Sequence, residues 1–322
     1  MSEPRPHPQR YRRHPLGPQL WVGIGILAFY LAVALSATVV FRSHLGTLSE
    51  NIAWLPSYPV YGPSWAHPFG ILSGFGVGLL RAIWQATPWD LAIVFSILAV
   101  DAAMGALLGA IAGLREGSAV DHAVSFLSDS IGAVPAVILV VVVFAGIVTL
   151  APDLRTLWLF AIVFGLLLWP PSARTVRERV RTLARQPYVE ASRASGASSA
   201  RIIFRHLLPN SLGPVLAQIP IDVAAIFFVL GVYPWFFNCA SPYPGPGSAF
   251  HIPDLPPFSP LPTYLFPEWG YYLGFSGCEA FLSPGGPYWW WMFLFPLLAI
   301  VGLGLAIALV CDGLEKWLRF GS

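Results

Sequence analysis

Lysine is almost absent from this sequence. The 322 residues contain a single lysine, Lys316, which stands between Glu315 and Trp317. A phosphate-binding loop of the form Gly-x-x-x-x-Gly-Lys-Ser/Thr therefore cannot occur anywhere in it. The glycine cluster at residues 74–78 is followed by Leu79, so it does not fit the Gly-x-Gly-x-x-Gly dinucleotide pattern either. The sequence thus excludes an ATPase of the phosphate-loop class.

Motifs of metal-dependent and nucleophilic catalysis are missing as well. The patterns His-Glu-x-x-His, Cys-x-x-Cys and Gly-x-Ser-x-Gly do not occur, so a zinc hydrolase, a zinc-binding module and a serine hydrolase have no motif support. We therefore expect no catalytic residue, no metal site and no cofactor bound by this chain. If the protein performs work driven by ATP, the energy must enter through a partner.

Charged residues are scarce, at 11% of the sequence against 56% hydrophobic residues. A typical soluble domain has about a quarter charged residues. Several apolar runs are long enough to cross the ~30 Å hydrocarbon core of a bilayer as α-helices. The first run is too long for an ordinary signal peptide, so we interpret it as an uncleaved span. We predict an all-α polytopic membrane protein with six transmembrane helices, at residues 20–41, 90–114, 131–150, 157–171, 211–235 and 289–311.

The segments between these spans differ in charge. If the segments are assigned alternately to the two sides of the membrane, 15 of the 18 lysines and arginines fall on one side. Only Arg42, Arg81 and Arg155 fall on the other. By the positive-inside rule, the side with most of the basic residues is cytoplasmic, which places the protein in the cell (inner) membrane with both termini inside. The same rule accounts for the arginines of the loop 172–209, so we expect no nucleic-acid binding. The predicted cytoplasmic segments are the N-terminal tail 1–19, Arg115 and its neighbours, the loop 172–209 and the C-terminal tail 314–322.

The external segments are expected to be residues 42–88 and 236–288. The first is a mixed loop with a short interfacial helix expected at residues 79–84. The second contains no lysine or arginine and is dense in proline, glycine and aromatic residues. Loops of this length without regular structure are usually functional or disordered, and the aromatic content favours an ordered cap or a contact surface. Cys239 and Cys278 both lie in it; we predict a disulfide between them in an oxidising compartment, with two free thiols as the alternative.

Residues 188–210, YVEASRASGASSARIIFRHLLPN, form the most polar interruption of the apolar sequence. The first part is rich in helix formers, and Gly196 is suited to end a helix in a left-handed cap. A second helical pattern covers residues 198–208, where apolar residues alternate with arginines until Pro209 disrupts the helix. These patterns predict two short helices exposed to water in the loop 172–209.

Residues 190–192 (Glu-Ala-Ser), Gly196 and residues 207–209 (Leu-Leu-Pro) together resemble the EAA loop in membrane subunits of bacterial and archaeal ABC importers. Ser192 stands where the family usually has a second alanine. The neighbouring sequence resembles the second membrane subunit of the dipeptide and oligopeptide permeases. The resemblance implies a type I ABC importer permease domain over residues 89–313, with 236–288 as an external insertion. The ATPase-coupling residues that it implies are Tyr188, Val189, Glu190, Ala191, Ser192, Gly196, Ala197, Leu208 and Pro209.

Membership of that family implies a set of partners. The chain would span the lipid bilayer and form half of a translocation path with a homologous second permease subunit. Two ABC ATPase subunits, which bind ATP and Mg²⁺, would dock on the coupling loop, and an external substrate-binding protein would deliver the substrate. Di- or oligopeptides are the expected substrates, and nickel complexes, glutathione, opines and sugars remain open within the same branch.

Two carboxylates fall within predicted spans. Asp101 and Asp222 interrupt apolar runs, where a charged side chain costs roughly 2.5 to 3.5 kcal/mol on insertion scales. Together with Gln218 they are candidates for the translocation path, and a structural hydrogen bond to a neighbour such as Gln218 is the alternative. A protein of another class is also possible, namely a stand-alone secondary transporter or channel in which the two aspartates carry protons or cations.

Overall fold

A computed structural model describes residues 17–41, 62–72, 77–150, 157–239, 268–274 and 289–321. Residues 1–16 of the predicted tail 1–19 fall outside the described residues, as do most of the segment 240–288 and the predicted Cys239–Cys278 disulfide. The helices are α1 (Pro18–Val40), α2 (Leu79–Leu114), α3 (Ala119–Gly132), α4 (Ala136–Leu150), α5 (Leu157–Ala184), α6 (Pro187–Ala194), α7 (Ser199–Ile202), α8 (Leu208–Asn210), α9 (Leu212–Cys239), α10 (269–274) and α11 (Trp290–Gly321). Two short strands, β1 (Ile71–Leu72) and β2 (Val77–Gly78), pair antiparallel before α2.

The architecture is that of an all-α polytopic membrane protein, as predicted. Five helices in the described part of the chain, α1, α2, α5, α9 and α11, are long and apolar enough to cross a membrane. The predicted span 131–150 begins in α3, because Pro135 separates α3 from α4. The 15 residues of α4 reach about 22 Å at ~1.5 Å per residue. A sixth crossing therefore stays a prediction.

The predicted start of the second helix is wrong, and proline ends neither α2 nor α5. α2 begins at Leu79 rather than at residue 90, absorbs the expected interfacial helix and continues through Pro88. α5 continues through Pro170 and Pro171 to Ala184, so the predicted span 157–171 is followed by a helical extension, as the helical spacing of Arg174, Arg177 and Arg181 indicates. Proline removes a helical hydrogen bond, but both extensions bury apolar side chains. Leu79 of α2 and Val176 and Val180 of α5 are each 0% exposed.

α2 and α5 pack closely through glycines. Gly105, Gly109 and Gly113 recur every fourth residue along α2 and face the backbone of α5. A Cβ atom at Gly109 would lie 2.5 Å from the carbonyl oxygen of Ala173, and one at Gly113 would lie 2.7 Å from that of Arg177. Small residues at such positions let two membrane helices approach at backbone distance. We call this closely packed unit the α2–α5 pair, and the end at which both of its helices terminate the arginine-rich end.

The other spans pack around this pair. α1 contacts α11 closely, since a Cβ atom at Gly313 would lie 2.7 Å from the Cβ of Leu20. α9 contacts α11 and both helices of the α2–α5 pair. One apolar core includes side chains of α1, α2, α5, α9, α10 and α11, and a second, smaller cluster lies at the arginine-rich end. That second cluster holds the loop with the predicted coupling residues.

Candidate functional site

α6 is the first helix after the α2–α5 pair. It starts at Pro187, a favourable first residue because the N–H group that proline lacks has no helical partner there. It ends in a Schellman motif: the N–H of Ala197 donates to the carbonyl oxygen of Ser192 (3.1 Å), and that of Gly196 donates to Arg193 (2.9 Å). Gly196 has φ +81°, a left-handed conformation that favours glycine. The predicted helix and its left-handed glycine cap are confirmed.

The second helical pattern is less regular than predicted. Ser198 caps α7 by accepting a hydrogen bond from the N–H of Arg201 at 3.3 Å. The helix then widens into a π-helical turn, Ile203–Leu207, in which the N–H of Leu208 donates to the carbonyl oxygen of Ile203. Pro209 lies in the short helix α8 rather than ending the helical run. Its missing N–H fits the first turn of α8, where no helical partner is needed.

Val189 anchors α6 to the α2–α5 pair. Its side chain is 0% exposed and belongs to the cluster that contains Ala110 of α2 and Val180 of α5. Ala197 and Leu208 pack against the same cluster. Burial of such apolar side chains is worth roughly 1.5 to 3 kcal/mol each for valine or leucine. The loop is therefore attached to both helices of the α2–α5 pair.

The opposite side of α6 is exposed. Tyr188, Glu190, Ala191 and Gly196 all lie at the surface, and we call this surface the α6 face. A Cβ atom at Gly196 would meet no other atom within 4 Å, so packing within this chain does not require glycine there. Of the other predicted coupling residues, Pro209 is exposed and Ser192 is half-buried. The predicted coupling residues thus fall into two groups. One group is buried and anchors α6, and the other is exposed and includes Gly196, which has no side chain.

Asp121 of α3 is an anchoring residue of the site that sequence reasoning missed. Arg177 Nε and an Arg181 terminal nitrogen donate to its two carboxylate oxygens at 2.6 and 2.5 Å, and the N–H of Gly117 donates at 3.0 Å. The Asp121 side chain is 2% exposed. Burial by itself would raise the pKa of Asp121, but the hydrogen bonds outweigh it and lower the pKa to about 2. The sequence did contain a signal for these ion pairs. Acidic residues lie between the second and third predicted spans, and arginines recur at helical spacing after the fourth.

Two further ion pairs flank Asp121. Arg185 contacts Glu116 at 2.8 Å, and Arg174 contacts Asp129 at 2.8 Å and donates to the carbonyl oxygen of Ser128 at 3.1 Å. Hydrogen bonding from Arg185 lowers the pKa of Glu116. These exposed pairs contribute little stability individually. Together with Asp121 they fix α3 along the end of α5, from which the coupling loop starts.

Acid should weaken the attachment of α3 to α5 through Asp121. Because the folded-state pKa of about 2 lies below the ordinary value near 4, the contribution is complete above pH 4 to 5 and disappears as the pH falls towards 2. We expect about 2 kcal/mol of unfolding free energy to be lost over that range. Thermal unfolding of the detergent-solubilised protein at a series of pH values measures this loss. Asp121→Asn should lose less stability between about pH 5 and pH 2 than the native protein does. Asp129→Asn is the control and should behave like the native protein, because the Asp129 side chain is 71% exposed. An equal loss of stability in the native protein and in Asp121→Asn would contradict the prediction.

Asp101 and Asp222, predicted separately in two spans, meet in the structure. Both side chains are buried, and the two carboxyl groups lie close enough to interact with each other. Ser172 Oγ of α5 donates to Asp101 Oδ2 at 3.2 Å, and Gln218 Nε2 donates to Asp222 Oδ1 at 3.0 Å. The structure therefore contains the Gln218 hydrogen bond that the structural alternative expected. It also links α2, α5 and α9 near the middle of the bundle.

A second buried polar group lies at the end of the bundle opposite the arginine-rich end. The backbone N–H of Trp269 in α10 donates to both carboxylate oxygens of Asp90, at 3.3 and 3.1 Å. Its indole Nε1 donates to the carbonyl oxygen of Ile83 at 3.1 Å. Glu268, beside it, is also buried. Sequence reasoning treated Asp90 as the start of a span and residues 268–274 as part of a loop, so neither was singled out.

The fold defines a multi-pass membrane protein. The chain belongs to the family of binding-protein-dependent transport system inner membrane components, whose sequence profile matches residues 105–320. The dipeptide transport system permease protein DppC of Alkalihalophilus pseudofirmus is 27% identical over 294 residues, 91% of this chain and 83% of the relative. The oligopeptide permease protein OppC of Bacillus subtilis is 28% identical over 219 residues, 68% of this chain and 66% of the relative. The glutathione permease protein GsiD of Pectobacterium atrosepticum is 29% identical over 255 residues, covering 79% and 72%.

Proposed function

We propose that this chain is one of two homologous membrane subunits of an ATP-driven importer of di- or oligopeptides, and that the α6 face docks on the ATPase subunits. The proposal rests on the two sides of α6. On one side Val189 is buried against the α2–α5 pair, and on the other Glu190 and Gly196 are exposed. The names of two relatives, a dipeptide and an oligopeptide permease, support peptides as substrates. The glutathione permease among the relatives keeps that tripeptide as the second candidate substrate.

The mechanism follows from the attachment of the loop. The ATPase subunits bind ATP and Mg²⁺ and hydrolyse ATP, and this chain contributes no catalytic group. When the ATPase subunits close, they displace α6, and the Val189 cluster passes the displacement to α5. The backbone contacts at Gly105, Gly109 and Gly113 make α2 move with α5. The path shared with the second permease subunit then alternates between inward-facing and outward-facing states.

The membrane orientation is part of the proposal. The arginine-rich end lies in the cytoplasm together with both termini, because this arrangement satisfies the positive-inside rule. α10 and the segment 236–288 then lie on the external side, where an external substrate-binding protein delivers the substrate. The exposed apolar side chains of the spans, such as Phe29 at 64% and Phe228 at 62%, face lipid or the second permease subunit.

Affinity purification tests the proposed assembly. The tagged chain, solubilised gently from membranes of its native host, should bring down a second permease subunit and phosphate-loop ATPases, and the eluate should hydrolyse ATP. A matched purification of the chain carrying Val189→Asp should lose the ATPases but keep the second permease subunit, because the charge would detach α6 from its anchor. Recovery of the chain alone, together with ATP-independent uptake in liposomes, would instead support a stand-alone secondary transporter.

A further inference from the structure

The contact between Asp101 and Asp222 is unusual because it joins two acids. Asp101 is 1% exposed and Asp222 is 3% exposed. One oxygen of each carboxyl group accepts from a neutral donor, Ser172 or Gln218. The remaining oxygens, Asp101 Oδ1 and Asp222 Oδ2, are buried and receive no hydrogen bond from any donor among the described residues. The two unsatisfied oxygens are therefore the atoms available for the contact between the acids.

A hydrogen bond between two carboxyl groups requires a proton on one of them. An ionised carboxylate only accepts hydrogen bonds, whereas a protonated one has an O–H to donate. Two ionised carboxylates in contact would repel each other strongly, because the protein interior screens charge poorly. The sequence offers no compensating cation nearby on these two helices: α9 contains no lysine, arginine or histidine, and neither does α2 from Trp89 to Leu114.

We infer that Asp101 and Asp222 share one proton, and that the resulting hydrogen-bonded pair fastens α9 to the α2–α5 pair. The shared proton satisfies both orphaned oxygens at once and leaves one negative charge, which the Ser172 and Gln218 donors stabilise. The pair connects the unit that carries the coupling loop to the span that follows this loop. In this state the two carboxyl groups are hydrogen-bonded to each other. Neither acid is therefore free to bind a cation or the amino group of a peptide.

Single asparagine substitutions reproduce the inferred state. In Asp101→Asn or Asp222→Asn, the amide N–H takes the place of the shared proton and donates to the remaining carboxylate, and the net charge of the pair stays at one negative. Both variants should therefore keep a thermal unfolding midpoint close to that of the native protein. Asp222→Leu has similar size but offers neither donor nor acceptor, so it should lower the midpoint clearly.

Infrared spectroscopy at neutral pH detects the proton itself. With carbon-13 in the aspartate carboxyl groups, the native protein should show the C=O stretching band of a protonated acid, and both single asparagine variants should lose that band. Asp90→Asn, in the other buried acid group, should retain it. An undiminished band in both variants would overturn the inference, because the protonated acid would then lie elsewhere, for example at Asp90.

Uptake separates this structural pairing from a role in the translocation path. Dipeptide uptake should survive in both single asparagine variants of the assembled complex. A loss of uptake in either variant at unchanged thermal stability would also overturn the inference, because it would show that a free carboxylate contacts the substrate. The spectroscopic result does not depend on substrate or on ATPase partners, so failure of the proposed function leaves it interpretable.

Discussion

Leucine in place of Gly196 should abolish ATP-driven uptake while the protein still inserts into the membrane. Gly196 lies on the α6 face, and a Cβ atom there would meet nothing within 4 Å in the part of the chain that the structure describes. The cost within the chain is therefore limited to the positive φ of +81°, roughly 1 to 2 kcal/mol for a residue other than glycine. In the proposed interface, however, the leucine side chain would occupy the space where the ATPase backbone approaches the bare Cα. Dipeptide uptake and ATP hydrolysis by the assembled complex in proteoliposomes measure the effect.

Gly117 provides a matched control for this substitution. It has φ +76°, and a Cβ atom at that position would also meet nothing within 4 Å. Gly117→Leu therefore imposes the same backbone strain at the same end of the protein, but away from the α6 face. We expect it to retain uptake. Full coupled uptake by Gly196→Leu would count against docking at the α6 face, and equal losses in both variants would indicate that backbone strain is the cause.

Local features of the site could be predicted from the sequence, because their physical causes are local. The left-handed cap at Gly196 depends on residues within one turn of α6, and the membrane spans follow from uninterrupted apolar runs. Helix ends were predicted less well where packing outweighed a local signal. Pro88 lies inside α2, which begins at Leu79, since the residues around it bury apolar side chains against neighbouring spans.

Contacts between distant residues could not be predicted. Asp101 and Asp222 were each identified as costly intramembrane acids, but their meeting depends on how α2 packs against α9. Trp269 lies 179 residues from Asp90, its hydrogen-bond partner. The sequence around Trp269 is rich in proline and aromatic residues, which is typical of a loop and gives no periodic pattern. Such contacts become visible only once the spans are placed side by side.

Truncation of Trp269 should be among the most destabilising single substitutions in the described chain. Its side chain is 0% exposed and lies against Tyr30 of α1 and Phe227 of α9, with ring centroids at 5.6 and 6.2 Å. Trp269→Ala would open a cavity among these rings and leave the carbonyl oxygen of Ile83 without its indole donor. Large-to-small substitutions of this kind cost about 3 to 5 kcal/mol.

The backbone of α10 cannot move in to fill that cavity without a clash. A Cβ atom at Gly270 would lie only 2.7 Å from the Cβ of Leu230, so α10 already touches α9 at backbone distance. Since the cost of a cavity depends on how far the site can collapse, we expect a value near the upper end of the range. For a chain of this size, the thermal midpoint in detergent should fall by roughly 10 °C. Trp158→Ala is the matched control, because Trp158 is 61% exposed; a similar fall in both variants would contradict the role assigned to Trp269.

Phenylalanine at position 269 separates packing from hydrogen bonding. Trp269→Phe keeps an aromatic ring between Tyr30 and Phe227. It removes the indole N–H that donates a hydrogen bond to the carbonyl oxygen of Ile83. If the cavity dominates, most of the stability should return, and the residual loss should be about 0.5 to 1.5 kcal/mol for the lost hydrogen bond, plus a smaller loss from the smaller ring, because the Ile83 carbonyl oxygen still accepts from Thr87 Oγ1 at 3.0 Å. If the phenylalanine variant is as unstable as Trp269→Ala, the hydrogen bond to α2 holds α10 in place. In either case the backbone N–H of residue 269 can still bind Asp90, so the comparison isolates the side chain.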